Sequence, residues 1–358
     1  MQDDPAAAAR AVALTYTSDD APGIARKRHG KSFRYTVGGK PLRDKATLLR
    51  IRALAIPPAW TDVWIARDAD AHLQATGRDA RKRKQYRYHA RWRTVRDEAK
   101  YHRLVAFCHA LPALRAAVEA DLRCNCLCKR KVLATVVSLM ERAQLRVGND
   151  EYTKQNGSYG ATTLRDRHAK IRGDTLELAY RGKGGIARKI RITDRRLARI
   201  VRRCRDLPGQ RLFQYVDGDQ QGAITSTDVN DYLREHSGGP FTAKDYRTWA
   251  ATLGAAMLLC SLEHPGSARG CKQCITSVLG AVSTRLGHTP AVCRSSYIHP
   301  RILDDFTSNR LAPALARQIK RRVGAVVIEP DQIHVEALRA IEPVVARYLD
   351  ETRARRRA

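Results

Sequence analysis

Acidic residues are scarce in this chain: 36 Asp and Glu stand against 66 Lys and Arg, a formal net charge of +30 over 358 residues. A surplus of that size selects for a polyanionic partner, although charge alone does not rank nucleic acid against an anionic membrane surface. Long apolar runs are also missing. No stretch approaches the ~18 consecutive apolar residues of a membrane span, so a spanning protein is not expected. The start, Met1-Gln2-Asp3-Asp4-Pro5, has no basic n-region, and Arg10 breaks the short apolar run behind it. No secretory signal is expected there, and the reading points to a cytoplasmic protein. The nine cysteines lack the spacing of a zinc framework. Cys124, Cys126 and Cys128 form C-x-C-x-C, and Cys271 and Cys274 a single C-x-x-C, with no second pair and no H-x₃₋₅-H to complete four ligands. They read as free thiols in a reducing compartment, with no metal site and no role for the first cluster. A G-x-x-x-x-G-K-[ST] loop and a paired-carboxylate metal site are absent too, which removes the usual basis for nucleotide hydrolysis or two-metal chemistry. No cofactor is expected.

What is present reads as an α+β chain of two domains, since the length exceeds one typical compact unit. The expected division is a loose segment 1–22, a small mixed β-rich N-terminal domain 23–94, a larger and mainly helical catalytic domain 95–350 with a small antiparallel sheet, and a basic tail 351–358. In the first domain Phe33, Tyr35 and Val37 alternate with polar residues before Gly38-Gly39, the mark of a hairpin. A short amphipathic helix over 45–54 stops at Pro57-Pro58, and strands follow at 63–65 and 72–76. The second domain opens with helices expected at 96–110, 114–122 and 131–145. Strands are expected at 161–164, 168–172, 175–180 and 187–192, with Lys183 on the last turn. Helices then recur at 194–206, 227–236, 243–263, 271–285 and 332–352.

Two features carry chemistry. Residues 78–96 hold nine Lys or Arg and one acid, Asp79, with Tyr86, Tyr88 and Trp92 interleaved. Tyrosine hydroxyls and guanidinium groups both donate to phosphate oxygens, so this stretch suits a nucleic-acid backbone. On a strand, Tyr86 and Tyr88 share one face and Arg87 the other. Second, Arg146 ends an apolar helix in Gln144-Leu145-Arg146-Val147-Gly148-Asn149, and Arg247 opens another in Lys244-Asp245-Tyr246-Arg247-Thr248-Trp249. Cations set against core helices need a strong anion to offset desolvation. Phosphate is the natural one, because guanidinium grips it with two parallel bonds.

The chain resembles the type IB DNA topoisomerases of the bacterial and poxvirus branch. The likeness rests on an ordered set of motifs between about residues 23 and 320. The set begins with Ile56-Pro57-Pro58-Ala59-Trp60, His72-Leu73-Gln74-Ala75-Thr76-Gly77 and Arg83-Lys84-Gln85-Tyr86-Arg87-Tyr88-His89. It continues with Arg146-Val147-Gly148-Asn149, Gly157-Ser158-Tyr159-Gly160, Thr162-Thr163-Leu164-Arg165-Asp166-Arg167-His168, Lys244-x-x-Arg247-Thr248 and Ser295-Ser296-Tyr297-Ile298-His299-Pro300. The resemblance implies five catalytic residues: Arg146, Lys183, Arg247, His288 and the nucleophile Tyr297. His288 falls nine residues before Tyr297, as in the poxvirus pattern. It also implies DNA contacts from Arg83, Lys84, Gln85, Tyr86, Tyr88, Tyr152 and Lys244. Lys82 departs from the pattern, where bacterial relatives usually have Gly, and so does the stretch 124–128.

The implied activity is nicking and religation of one strand of duplex DNA through a 3′-phosphotyrosyl link, relaxing supercoils without ATP or metal. The implied actor is a monomer clamped on double-stranded DNA, with no membrane partner. Two other readings stay open at this point. A site-specific tyrosine recombinase shares the five residue types, but usually has His-x-x-Arg where Lys244 stands, and a helical N-terminal domain. A basic nucleic-acid-binding protein without activity fits the charge, but not the retention of all five side chains.

Overall fold

Packing in the N-terminal part starts from a hairpin. A computed structural model of the chain describes residues 4–30, 32–80, 82–324 and 333–357. It divides into two compact units, Met1–Arg103 and Leu104–Ala358. The first contains α1 (Pro5–Arg10), β1 (Ile24–His29), β2 (Ser32–Val37), β3 (Lys40–Pro41), α2 (Lys45–Ala53), β4 (Thr61–Ile65), β5 (Leu73–Arg78) and β6 (Lys84–Tyr88). The six strands form one antiparallel sheet in the order β3-β2-β1-β4-β5-β6. Gly38 and Gly39 make the β2–β3 turn with φ of +55° and +81°, a conformation that side-chain-bearing residues resist. Asp44 caps α2 by accepting from Thr47 N at 2.7 Å. The helix then buries Ile51 against Ile24, Val63, Ile65 and Ala75.

The segment 1–22, expected to be loose, carries a helix where it is described, and β1 follows it. α1 places Ala9 beside Leu14 and Trp92, and β1 sits inside the sheet between β2 and β4. The alternation in β1 was hidden because its second inward residue is charged. Arg26 is buried and donates to the carbonyls of Ile56 (3.2 Å), Pro57 (3.0 Å) and Trp60 (2.8 Å), with its guanidinium over the Phe33 ring. Three carbonyl partners offset the desolvation that would otherwise exclude an arginine from this position.

The helices expected at 96–110 and 114–122 are one helix, α3 (Ala90–Leu122), and the division between the units falls inside it. Pro112 lies within it without ending it. An interior proline costs roughly 3 kcal/mol; full burial of the flanking Leu111 and Leu114 works against that cost.

The second unit continues with α4 (Lys129–Ala143), α5 (Asp150–Asn156), β7 (Ala169–Arg172), β8 (Thr175–Arg181), β9 (Ala187–Thr193), α6 (Arg195–Arg205), β10 (Gln214–Asp217) and β11 (Gln220–Ala223). Then come α7 (Ser226–Ser237), α8 (Ala243–Cys260), α9 (Ala268–Leu286), α10 (Pro290–Ser296), α11 (Pro300–Thr307), α12 (Leu311–Val323) and α13 (Val335–Arg357). α8 is buried along nearly its whole length and packs against α9, α12 and α13. β7, β8 and β9 form a three-stranded antiparallel sheet, and β10 and β11 a hairpin that the sequence reading missed. The architecture is α+β. The last helix expected at 332–352 is α13, which runs on through the basic tail to Arg357; residues 332 and 358 lie outside the described residues.

One expected strand is absent. Residues 161–164 instead hold a short 3₁₀ turn, Ala161–Thr163. Its amides serve the chain leaving α4: Ala161 N donates to Arg146 O and Thr162 N to Val147 O, both at 2.7 Å. Gly160 permits this approach, since a Cβ there would lie 2.5 Å from Gly148 N.

Candidate active site

The site is assembled where two helices end. α4 stops at Gln144, which adopts left-handed geometry (φ 53°) and turns the chain so that Arg146 follows one residue beyond the buried Leu145. α9 stops at Gly287, also left-handed (φ 65°), immediately before His288. The last carbonyls of a helix have no intrahelical partner and carry partial negative charge. Here arginines take them. Arg146 Nη2 donates to Gly287 O at 2.7 Å. Arg247, on the first turns of α8 and only 4% exposed, donates from Nη1 to Gln144 O and from Nη2 to Leu286 O at 2.7 Å.

His288 and Tyr297 complete the cluster. Arg146 Nη2 lies 3.2 Å from each ring nitrogen of His288, so the unprotonated one accepts from it. The His288 and Tyr297 rings are 4.5 Å apart, and the Arg247 guanidinium is 5.5 Å from the Tyr297 ring centre. Tyr297 caps α10, its amide donating to Cys293 O at 3.0 Å. Thr252 on α8 fixes the main chain around it: its hydroxyl lies 3.3 Å from Tyr297 O and accepts from His299 N at 3.1 Å. Thus the helix that carries Arg247 also sets the position of the tyrosine.

Lys183 stands, exposed, on the β8–β9 turn, followed by Gly184 and Gly185 at φ of +77° and +78°. It is close enough to act electrostatically on His288. Burial first, then Arg146, Arg247, Lys183 and Arg188, push the His288 imidazole down to about 3, so it is neutral at physiological pH. Burial likewise lowers the Arg247 guanidinium to about 10, and Arg146 adds to the effect. Among the described residues no carboxylate pairs with Arg146, Arg188 or Arg247; they meet main-chain carbonyls and the His288 ring, with Tyr180 beside Arg188 and Tyr297 beside Arg247. Such a site has positive charge that no carboxylate among the described residues balances.

Arg188 was missed by the sequence reading. It leaves β9 toward α9, donating to Thr284 O at 2.9 Å and Arg285 O at 2.7 Å. It thereby ties the Lys183 hairpin to the helix that presents His288. Gly182 and Gly287 leave space for it: a Cβ would come within 3.3 Å and 3.1 Å of its side chain. The signal was in the strand's alternation. Arg188, Ile190 and Ile192 form the inward-facing set of β9, and an inward arginine beside two isoleucines implies a bonded cation.

The expected DNA contacts separate into groups. In the first unit, Tyr86 (47% exposed) and Tyr88 stack on one face of β6, ring centres 5.9 Å apart. Arg87 points elsewhere, bonding Ala55 O at 3.0 Å. Arg83 and Gln85 both bond Asp79 Oδ2, at 2.8 Å and 3.0 Å, and Lys84 pairs with Asp19 at 2.6 Å. These three therefore begin with intramolecular anions. In the second unit, Lys244 is exposed at the start of α8. Tyr152 is on α5, but its side chain lies outside the described residues.

The family model described as "Eukaryotic DNA topoisomerase I, catalytic core" matches residues 89–321, and that described as "Bacterial DNA topoisomerase IB, N-terminal domain" matches residues 32–79. The chain is 32% identical over 297 residues to a protein named DNA topoisomerase 1B from Acanthamoeba polyphaga mimivirus, covering 80% of this chain and 88% of that one. The chain belongs to the type IB DNA topoisomerases, isomerases that break and reseal one DNA strand through a phosphotyrosyl link and so relax supercoils.

Proposed function

We propose that Tyr297 is the nucleophile of this chain, that Arg146, Arg247 and His288 hold the scissile phosphate, and that Lys183 is the general acid. The observation that carries this is the convergence of Arg146, Arg247 and His288 on Tyr297 with, among the described residues, no carboxylate paired to the arginines. The Tyr297 hydroxyl attacks phosphorus and releases its proton to solvent. The bond from phosphorus to the 5′-oxygen breaks, leaving a 3′-phosphotyrosyl link. Lys183 protonates the departing 5′-oxygen from its glycine-flanked turn. Negative charge grows on the non-bridging oxygens, where donors already held by helix-end carbonyls need no reorganisation. A neutral His288 contributes one N–H and accepts from Arg146 with its other nitrogen. Religation runs the same steps backward. The bond energy is kept in the phosphotyrosine, so ATP is not needed.

Tyr86 and Tyr88, with Arg83, Lys84 and Gln85 released from their carboxylates, form the N-terminal contact to DNA phosphates. Lys244 and Tyr152 add contacts from the catalytic unit. The segments 23–94 and 95–350 act as DNA-clamp and catalytic domains of a monomer on duplex DNA. Among the described residues no helix is long and apolar enough to cross a membrane. A cytoplasmic, nucleoid-associated setting suits a substrate of this kind.

The test is Tyr297→Phe on supercoiled plasmid, with no added magnesium or ATP. The parent should relax the plasmid and become trapped on a nicked suicide duplex through Tyr297. The variant should do neither while still binding DNA. Relaxation by the variant at the parent rate would remove Tyr297 from the reaction.

A further inference from the structure

The connection between α3 and α4 holds three cysteines in a geometry the DNA chemistry does not use. Cys124 Sγ and Cys126 Sγ are 2.8 Å apart, Cys128 Sγ is 3.6 Å from Cys124 Sγ, and all three sulfurs lie within 4.8 Å of one another. All are unpaired, and Cys126 is exposed. Thiolates bound at ~2.3 Å around a tetrahedral ion stand roughly 3.8 Å apart, so small side-chain rotations bring this set to a common centre.

The loop that presents them is held independently of any ion. Buried Leu127 anchors it, with Leu127 O accepting from Val216 N at 3.0 Å. Arg203 Nη1 donates to Asn125 O at 3.1 Å, and Lys131 Nζ donates to Cys124 O. Cys128 is the N-cap of α4, a helix of 15 residues whose first amides face this loop. Lys131, Arg203 and the α4 N-terminus place positive charge around the loop.

We propose that Cys124, Cys126 and Cys128 form a binding site for one thiophilic divalent ion of the zinc class, three thiolates holding it with the fourth position open to water. Charge favours a divalent over a monovalent ion. Three thiolates and one divalent cation leave a single negative charge, which Lys131, Arg203 and the α4 N-terminus can balance. Among the described residues no fourth histidine, cysteine or carboxylate joins the set. Softness of the sulfur ligands excludes magnesium and calcium. Binding displaces the thiol protons as three metal–sulfur bonds form, so affinity rises with pH.

The site lies at the opposite end of α4 from Arg146, about 22 Å away at 1.5 Å per residue. Its effect is therefore to fasten the α3–α4 connection and not to take part in strand transfer. The spacing C-x-C-x-C does not reveal this, because nothing in it says that the three side chains turn inward together.

The experiment is an anaerobic titration of the reduced full-length chain with Co²⁺, followed by displacement with Zn²⁺. One equivalent of Co²⁺ should produce a sulfur-to-cobalt charge-transfer band that Zn²⁺ removes, and Zn²⁺ should raise the melting temperature. Cys126→Ser, at an exposed position, should weaken binding at least tenfold while plasmid relaxation persists, which shows that the variant is folded. The triple variant C124S/C126S/C128S should show no band. A band that persists in the triple variant overturns the proposal. So does the absence of a band in the parent, or the isolation of a Cys124–Cys126 disulfide in place of bound metal.

Discussion

Two clusters of arginine, half-buried except for the buried Arg247, lie in the same unit, and they are completed in opposite ways. In one, Arg115 on α3 bonds Glu141 on α4 at 2.6 Å and Glu342 on α13 at 2.7 Å, while Arg339 bonds Glu141 at 2.6 Å. In the other, among the described residues, Arg146, Arg188 and Arg247 meet carbonyl oxygens, the His288 ring and the Tyr180 and Tyr297 side chains, and no carboxylate. The first cluster is balanced, two cations against two anions, and joins three helices. For Glu141 burial opposes ionisation, but Arg339 and Arg115 hold its carboxyl below the usual range. The second carries net positive charge, softened only by helix-end dipoles. A folded protein retains such an excess where an anion arrives later. The contrast separates arginines that hold the fold from arginines that hold the substrate.

Substitutions can break that contrast. Glu141→Gln leaves Arg115 and Arg339 short of a buried anion and should cost roughly 3–5 kcal/mol of stability, read by urea denaturation. The rate per folded molecule should not change. Arg146→Gln should do the reverse. It should slow single-turnover cleavage by roughly 10²–10³-fold, with a stability change near the ~1 kcal/mol of one hydrogen bond. If Arg146→Gln unfolds the protein and Glu141→Gln slows cleavage, the two clusters have been assigned the wrong way round.

Ligand and pH sharpen the same comparison with smaller effects. A duplex at one hundred times its Kd should stabilise the fold by ~2.7 kcal/mol. The increment should shrink in Arg146→Gln and should survive in a variant at exposed Cys126. The smallest effect concerns His288, which is half-buried among cations. Its folded pKa lies below the ordinary 6.5, at about 3. Above 6.5 the imidazole is neutral in both states and contributes nothing. As pH falls from 6.5 toward 3 the unfolded chain takes up a proton that the folded chain refuses, so stability declines. Between pH 6.5 and 5, above the carboxylate range, this decline should be shallower in His288→Asn. Phosphate binding should raise the His288 pKa, seen as proton uptake when DNA binds near pH 5.5; a buffer-independent binding enthalpy there would contradict the assignment.

Much of the fold was legible from the chain. Gly38-Gly39 marked a hairpin because few other residues adopt those angles, and the helix expected at 131–145 is α4, which is buried on every side from Lys131 to Met140. β1 was not legible, since Arg26 occupies an inward position that composition assigns to solvent. α3 was divided at Pro112, where local propensity argued for a break and long-range burial overrode it. At the site, Arg146, Lys183, Arg247, His288 and Tyr297 stood out through ordered motifs, whereas Arg188 did not, because its partners are main-chain carbonyls of a helix distant in sequence.

By itself the sequence determined the basic charge, the α+β order of elements, the family motifs and the side chains able to transfer a phosphoryl group. Those depend on residue type and spacing, which are local. Only the tertiary structure decided that α4 and α9 end at the same place and offer their carbonyls to Arg146, Arg188 and Arg247. It also decided that Thr252 couples Tyr297 to the helix of Arg247, and that three spaced cysteines converge. Every residue type has a carbonyl, so no letter marks one as a partner; its direction is set by how helices end and pack.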